Sequence, residues 1–181
     1  MEEKAGEVFS IAKDNMPVPG CTISKEVHGG ENGIIYFSLA KNTDISAEIF
    51  PYHKLLIVAE GSLEVYGTNG YRKVLHAGDS VLTSTDIPIG MKTDTGAVYT
   101  GIEIRRSDIM NEAIKAGEVF RLAELVPYAV GKIVNMDVVH HDKMKFVVMA
   151  FDEGTGLSEH AAPGEALIFA LDGEGVIEYE G

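Results

Sequence analysis

Apolar side chains recur along this chain in short runs, and polar and glycine positions break them at strand-like intervals. The stretches Thr22–Val27, Gly33–Ala40, Ala47–Tyr52, Leu55–Gly61, Ser62–Gly67, Tyr71–Gly78, Ser80–Thr85 and Ala97–Ile104 are rich in β-branched and aromatic residues. Gly, Asn, Asp or Pro separates most of them, which is how strands are punctuated. "HGGENG" (His28–Gly33) and "GTNG" (Gly67–Gly70) read as hairpin turns, because glycine supplies positive φ without strain. Many short strands with glycine turns predict an all-β sandwich or barrel. The main exception is "SDIMNEAIKAG". Ser107 is placed to cap a helix there, Ile109, Ala113 and Ile114 share one face, and Lys115 and Gly117 suit its end. A short linker helix is therefore expected. A single helical turn is expected at Leu122–Leu125, stopped before Pro127.

The pattern occurs twice. "GEVFSIA" (Gly6–Ala12) returns as "GEVFRLA" (Gly117–Ala123), and "GCTISKEV" (Gly20–Val27) returns as "GKIVNMDV" (Gly131–Val138), both 111 positions later. "NTDIS" (Asn42–Ser46) matches "GTGLS" (Gly154–Ser158), and "LLIVAEG" (Leu55–Gly61) matches "LIFALDG" (Leu167–Gly173), both at 112. One inserted residue explains the step, and four matches in the same order point to duplication. The expected organisation is a first unit at 1–106, a linker helix at 107–116 and a second, incomplete unit at 117–181. Glu48 is expected to superpose on His160, and Gly61 and Gly173 to end equivalent strands before hairpins. The second unit lacks counterparts of Tyr71–His76, Ser80–Ser84 and Ala97–Ile104. Its apolar runs Lys145–Phe151, Ala166–Leu171 and Val176–Tyr179 would then want cover, and an unpaired edge wants a partner. A homodimer is expected on that ground, with packing against the first unit of the same chain as the rival.

Composition narrows the partners. The formal net charge is −13, which argues against nucleic acid and anionic membrane surfaces. Cys21 is the only cysteine, so neither an internal disulfide nor a thiolate metal cluster can form. The first ten residues, "MEEKAGEVFS", are acidic and lack the apolar centre of a secretion signal. No apolar run approaches the ~18 residues of a membrane span, so a cytoplasmic location is expected. No nucleophile elbow, phosphate-cradling glycine loop or helix-turn-helix segment stands out.

The duplicated strands, with His160 to Gly173 laid out as "HAAPGEALIFALDG", resemble the cupin superfamily, whose fold is a small jelly-roll β-barrel. The resemblance implies two motifs, G-x5-H-x-H-x3,4-E-x6-G and G-x5-P-x-G-x2-H-x3-N, whose three histidines and glutamate hold a transition metal. In the second unit Gly154, His160 and Gly173 fit the first motif, while Ala162 and Ala166 stand at the second histidine and the glutamate, with Glu165 just before. In the first unit the same positions carry Glu48, Phe50 and Lys54. In its second motif Gly78 fits, Ser84 and Asp86 replace the proline and glycine, and Ile89 takes the histidine position. His160 is thus the only retained ligand position, and a catalytic metal wants about three protein ligands. No metal and no other cofactor is expected.

The remaining candidates read mostly as structure. His140 and His141 fall at a hairpin tip and His28 in the matching turn, as solvated residues; His76 reads as surface and Cys21 as a small packing residue. Lys54 reads first as a surface lysine and second as a Schiff-base or anion-binding lysine at the barrel mouth. The expected function is a two-cupin protein, without the usual metal centre, that binds a small molecule in the barrel. Its ligand-contacting residues would be His160, Glu165 and Phe50, with Phe37, Leu56 and Val65 lining the interior. A metal-dependent isomerase or dioxygenase with ligands beyond Gly181, and a structural assembly protein, are the alternatives.

Overall fold

A computed structural model of the chain describes residues 3–161 and 164–179. After a one-turn helix α1 (Ile11–Asp14), whose Lys13 amide is capped by the Ser10 hydroxyl, the chain forms twelve strands among the described residues. They are β1 (Thr22–His28), β2 (Ile34–Leu39), β3 (Thr43–Glu48), β4 (His53–Gly67), β5 (Arg72–His76), β6 (Asp79–Leu82), β7 (Ile89–Thr93), β8 (Ala97–Ile104), β9 (Ile109–Met110), β10 (Val119–Arg121), β11 (Ile133–His141) and β12 (Met144–Phe151). A 3-10 turn, Leu122–Glu124, follows β10 where a helical turn is expected. No described helix is long and apolar enough to cross a membrane.

Strand β4 organises the molecule because it belongs to two layers. Its first half lies between β8 and β6, and the order β1-β2-β8-β4-β6-β10 makes one sheet. Its second half pairs with β5 and β7, and β7 carries β3. The strand changes layers at Gly61, where φ is +81° and the register with β8 has slipped between Val58 and Glu60. The strand therefore runs on through Gly61, where the sequence predicts its end. No side chain fits at Gly61: a Cβ there would meet the carbonyl oxygen of Gly96.

Alternation then sorts the side chains. Leu56, Val58, Leu63, Val65, Leu75, Val81, Met91 and Tyr99 meet between the two layers as an inner core. Leu55, Leu82, Ile102 and Ile104 point to the other face of the larger sheet. That face is covered by a third sheet, β12-β11-β9, through Val138, Val139, Val148 and Ala150, together with Ile114, Leu122 and Val126. Each large apolar side chain buried this way is worth about 1.5–3 kcal/mol. No sheet closes on itself, so the expected barrel is an open sandwich with a covering sheet. The apolar face of β11 and β12 is met within the chain. Beyond Thr155 no described residue is in a strand, and Ile168, Val176 and Ile177 are exposed.

Backbone details recur at the offsets of 111 and 112. β1 and β11 start 111 residues apart, and the hairpins β1–β2 and β11–β12 slip register at matching places, Glu26/His28 and Asp137/Val139. Hydrogen bonds recur: Cys21 N to Val18 O and Lys132 N to Ala129 O; Ala40 N to Cys21 O and Asp152 N to Lys132 O; Thr43 N to Ala40 O and Thr155 N to Asp152 O. Positive φ recurs at Gly6 and Gly117, Gly20 and Gly131, Asn42 and Gly154, and Gly61 and Gly173. Pairing partners are offset by 111 on β11 and by 112 on β12, so the inserted residue lies in the second hairpin. There β11 and β12 extend two pairs further, to His140↔Lys145 and His141↔Met144.

The linker helix expected at 107–116 does not form. β9 pairs with β11, and turns flank it. Short polar side chains explain this, because they bond the backbone locally and compete with a helix. The Asp108 carboxylate accepts from Arg105 N at 2.7 Å and from Asn32 Nδ2 at 2.7 Å, and Asn111 Oδ1 accepts from Ala113 N at 3.0 Å. His141 also differs from the solvated reading. Its ring is three-quarters buried, with Nε2 3.9 Å from Asp108 Oδ1, whereas its neighbour His140 is exposed. Cys21 is exposed and not packed.

Candidate functional site

The clearest gathering of polar and aromatic groups lies at one open end of the sandwich, where β3 hands over to β4. Glu48 ends β3, Phe50 and Tyr52 sit in the connection, and Lys54 is the second residue of β4. By alternation Lys54 shares a face with Leu56 and Val58, the face turned to the inner core. Its backbone is held from β6's end: Thr83 N donates to Lys54 O at 2.9 Å and Lys54 N donates to Thr83 Oγ1 at 2.8 Å. His53, on the opposite face, donates from Nδ1 to the Thr83 carbonyl at 2.6 Å.

The side chain of Lys54 is half-buried, and its Nζ stands 3.3 Å over the centroid of the Phe50 ring. Phe50 packs in turn on Tyr52, with ring centroids 5.4 Å apart. Beside Tyr52 is the carboxylate of Glu103, which sits directly across from Lys54 on β8. Burial pulls the Lys54 ammonium below its ordinary range, and this outweighs the pull of Glu103 and Glu48 in the other direction. Burial also pushes the Tyr52 phenol up, to about 12, with the neighbouring carboxylates of Glu103 and Glu48 adding to it.

That shift makes a prediction. The folded phenol holds its proton above the ordinary value near 10, so folding binds more protons in the window between about 10 and 12. The stabilisation from this group is complete below pH 10 and is lost as pH rises through 12. Ultraviolet titration of Tyr52→Phe against the parent should lose one phenolate step at the alkaline end. Loss of a step near pH 10 instead would show that Tyr52 is not held in this half-buried setting beside Glu103 and Glu48.

The interior below this end is filled. Leu56 and Val65 are fully buried in the core, so they line no cavity. Phe37 stacks on Tyr99 with centroids 4.9 Å apart and planes 11° apart, in space that Gly101 leaves by lacking a side chain. The packing leaves no space for a small molecule around these residues deep between the sheets. Outside it, a shallow cleft of about 200 Å³ lies under α1, walled by Asn15, Met16, Ile23, Tyr36 and Ser38.

The other expected ligand contacts lie elsewhere. His160 is exposed and bonded through Nδ1 to the Ser158 carbonyl at 2.9 Å. Glu165 is exposed, 3.6 Å from His28 Nδ1. Neither shares a partner with Phe50, and Ala162 lies outside the described residues. Tyr52 and Glu103 are the residues that sequence reasoning missed. Tyr52 carried a signal, being two places from Lys54 on the same face, whereas Glu103 needed the β4–β8 register.

The positions that the cupin motifs give to metal ligands are also placed. Glu48 and Ile89 are cross-strand partners on β3 and β7, and Ile89 is buried in the core. A phenyl ring, an isoleucine and an ammonium do not coordinate a cation, and the ammonium repels one. The residues here do not fit a metal. Among the described residues, no group of three or more His, Cys, Asp or Glu could hold an ion.

No protein-family model matches the sequence, and no curated protein matches it. Solved structures do match. The chain is similar to a cupin 2 conserved barrel domain protein from Leptotrichia buccalis, with a TM-score of 0.76 and 22% identity over 90% of this chain and 73% of that one. It is also similar to a conserved protein of unknown function from Streptococcus pyogenes, with a TM-score of 0.55 and 15% identity over 59% of this chain and 94% of that one. A cupin superfamily protein from Desulfitobacterium hafniense gives 0.54 and 12%, over 58% and 96%. The likeness is one of fold, and the fold is that of the cupins.

Proposed function

We propose that the chain is a cupin-fold protein that binds a small molecule without a metal centre, at the open end formed by Phe50, Tyr52, Lys54 and Glu103. One observation carries this reading. Where the cupin motif sets two of its metal ligands, a half-buried lysine stacks on an aromatic ring beside a tyrosine–carboxylate pair. These are the groups that fix a ligand: an apolar platform and a few convergent polar atoms. The recurring turns and hairpins support descent from two copies of one unit, of which the first keeps the sandwich and the second serves as its cover.

The test is amide chemical-shift mapping on the isotope-labelled chain with small uncharged aromatic compounds, beginning with benzyl alcohol. Shifts confined to Glu48–Leu55 and the end of β8 around Glu103 are expected. Shifts centred on His160, on the cleft under α1, or nowhere at millimolar ligand would overturn it.

A further inference from the structure

We propose that Lys54 captures uncharged aldehydes as a reversible imine, with Phe50 as the platform for the flat apolar body of the carbonyl compound. The inference rests on the open end being the binding site, and adds the ligand's chemistry to it.

The geometry separates Lys54 from the chain's other lysines. Lys4, Lys25, Lys92, Lys143 and Lys145 each make an ion pair with a carboxylate, and Lys13, Lys41, Lys73, Lys115 and Lys132 are exposed. Among the described residues, Lys54 Nζ has an aromatic face as its partner and makes no ion pair. Its backbone is clamped to Thr83 on both sides, so the amine is presented from a fixed point. Desolvation of the ammonium favours the free amine, which is the nucleophile in carbonyl addition.

The groups facing it set the ligand class. Glu103 comes from β8, Glu48 from the end of β3 and Tyr52 from the connection. With the amine neutral, the two carboxylates leave the site negative, so an anionic aldehyde is repelled. An uncharged one with an aromatic or flat apolar body is favoured by the Phe50 ring.

The step balances with the Lys54 amine and solvent water. The Nζ lone pair attacks the carbonyl carbon, a C–N bond forms, and the C=O π pair moves to oxygen. One amine proton passes to a solvent water, which delivers a proton to that oxygen and leaves a carbinolamine. The C–O bond then breaks, oxygen leaves as water with the second amine proton, and the nitrogen pair closes the C=N bond. No oxidant or reductant takes part.

The test is reductive trapping of the full chain at neutral pH with limiting benzaldehyde and cyanoborohydride, followed by peptide mapping. Lys54 is expected to be the first benzylated of the chain's eleven lysines. Lys54→Arg should lose that adduct and leave the pattern at Lys13, Lys41 and Lys73 unchanged. Glyoxylate, an anionic aldehyde, should lose the preference for Lys54. Labelling of Lys54 no faster than of those three exposed lysines overturns the proposal, as does glyoxylate labelling Lys54 as readily as benzaldehyde. Should Lys54→Arg not fold, the ranking within the unaltered protein still decides. Benzyl alcohol shifts at the open end without preferred labelling would sink the imine and leave the binding site standing; preferred labelling without such shifts would do the reverse.

Discussion

Gly61→Val is expected to lower stability by about 2–6 kcal/mol, a large share of the roughly 5–15 kcal/mol that usually holds a domain folded. Two costs add. A β-branched residue held at a φ of +81° is strained by about 1–3 kcal/mol. Its Cβ would also press on the Gly96 carbonyl, with the Ala97 backbone just behind. Forcing atoms into packed space costs about 1–3 kcal/mol more. Neither neighbour can step aside easily, because Ser62 N donates to Gly96 O and Gly61 pairs with Ala97. Gly78 is the control: its φ is +89°, but a Cβ added there would meet nothing within 4 Å. Gly78→Ala should therefore cost only the backbone part, about 1–2 kcal/mol. Urea midpoints compare the two. A Gly61→Val protein as stable as Gly78→Ala would mean that β4 does not change layers at Gly61.

Leu55→Ala and Leu56→Ala are each expected to cost about 2–5 kcal/mol, the usual range for a leucine cut back in a tight core. Both residues are fully buried, yet they face opposite ways from one strand. Leu56 belongs to the core between the layers, and Leu55 to the cluster under the covering sheet. The similar losses should thus appear in different places by hydrogen exchange. Leu55→Ala should release amides of β11 and β12 first. Leu56→Ala should release β3, β5 and β7 and leave the β11–β12 pairing protected for longer. The same release pattern in both variants would refute the separation into two clusters.

Much of this fold is legible in the chain. Alternation and glycine spacing place the strands, and the offsets of 111 and 112 reappear as matched turns, bonds and bulges. The linker helix fails because Ser107–Gly117 has the apolar spacing of a helix, while Asp108 and Asn111 spend their oxygens on nearby amides. Spacing cannot register that competition. The extent of β4 fails for a different reason. A glycine after a strand-like run reads as an end, and only tertiary pairing shows that the strand turns and continues. The candidate site is half legible. Phe50 and Lys54 stand at motif positions, while Glu103 is 49 residues on from Lys54 and joins it only through register. His160 and Glu165 stand out by motif alone, and the structure gives them exposed, separate partners.

The covering sheet has a consequence for how the protein is made. The outward leucines and isoleucines of β4 and β8 are all synthesised by Ile104, but β11 and β12 follow only from Ile133. At about 5–20 residues per second, a growing chain carries this sticky face bare for seconds. The sandwich beneath is itself slow to assemble, since its pairings join distant segments such as Ile34 with Ile102, whereas the β11–β12 hairpin is local and quick. Nascent chains are therefore most prone to clump just before the cover emerges, and a ribosome paused in that interval would lengthen the hazard.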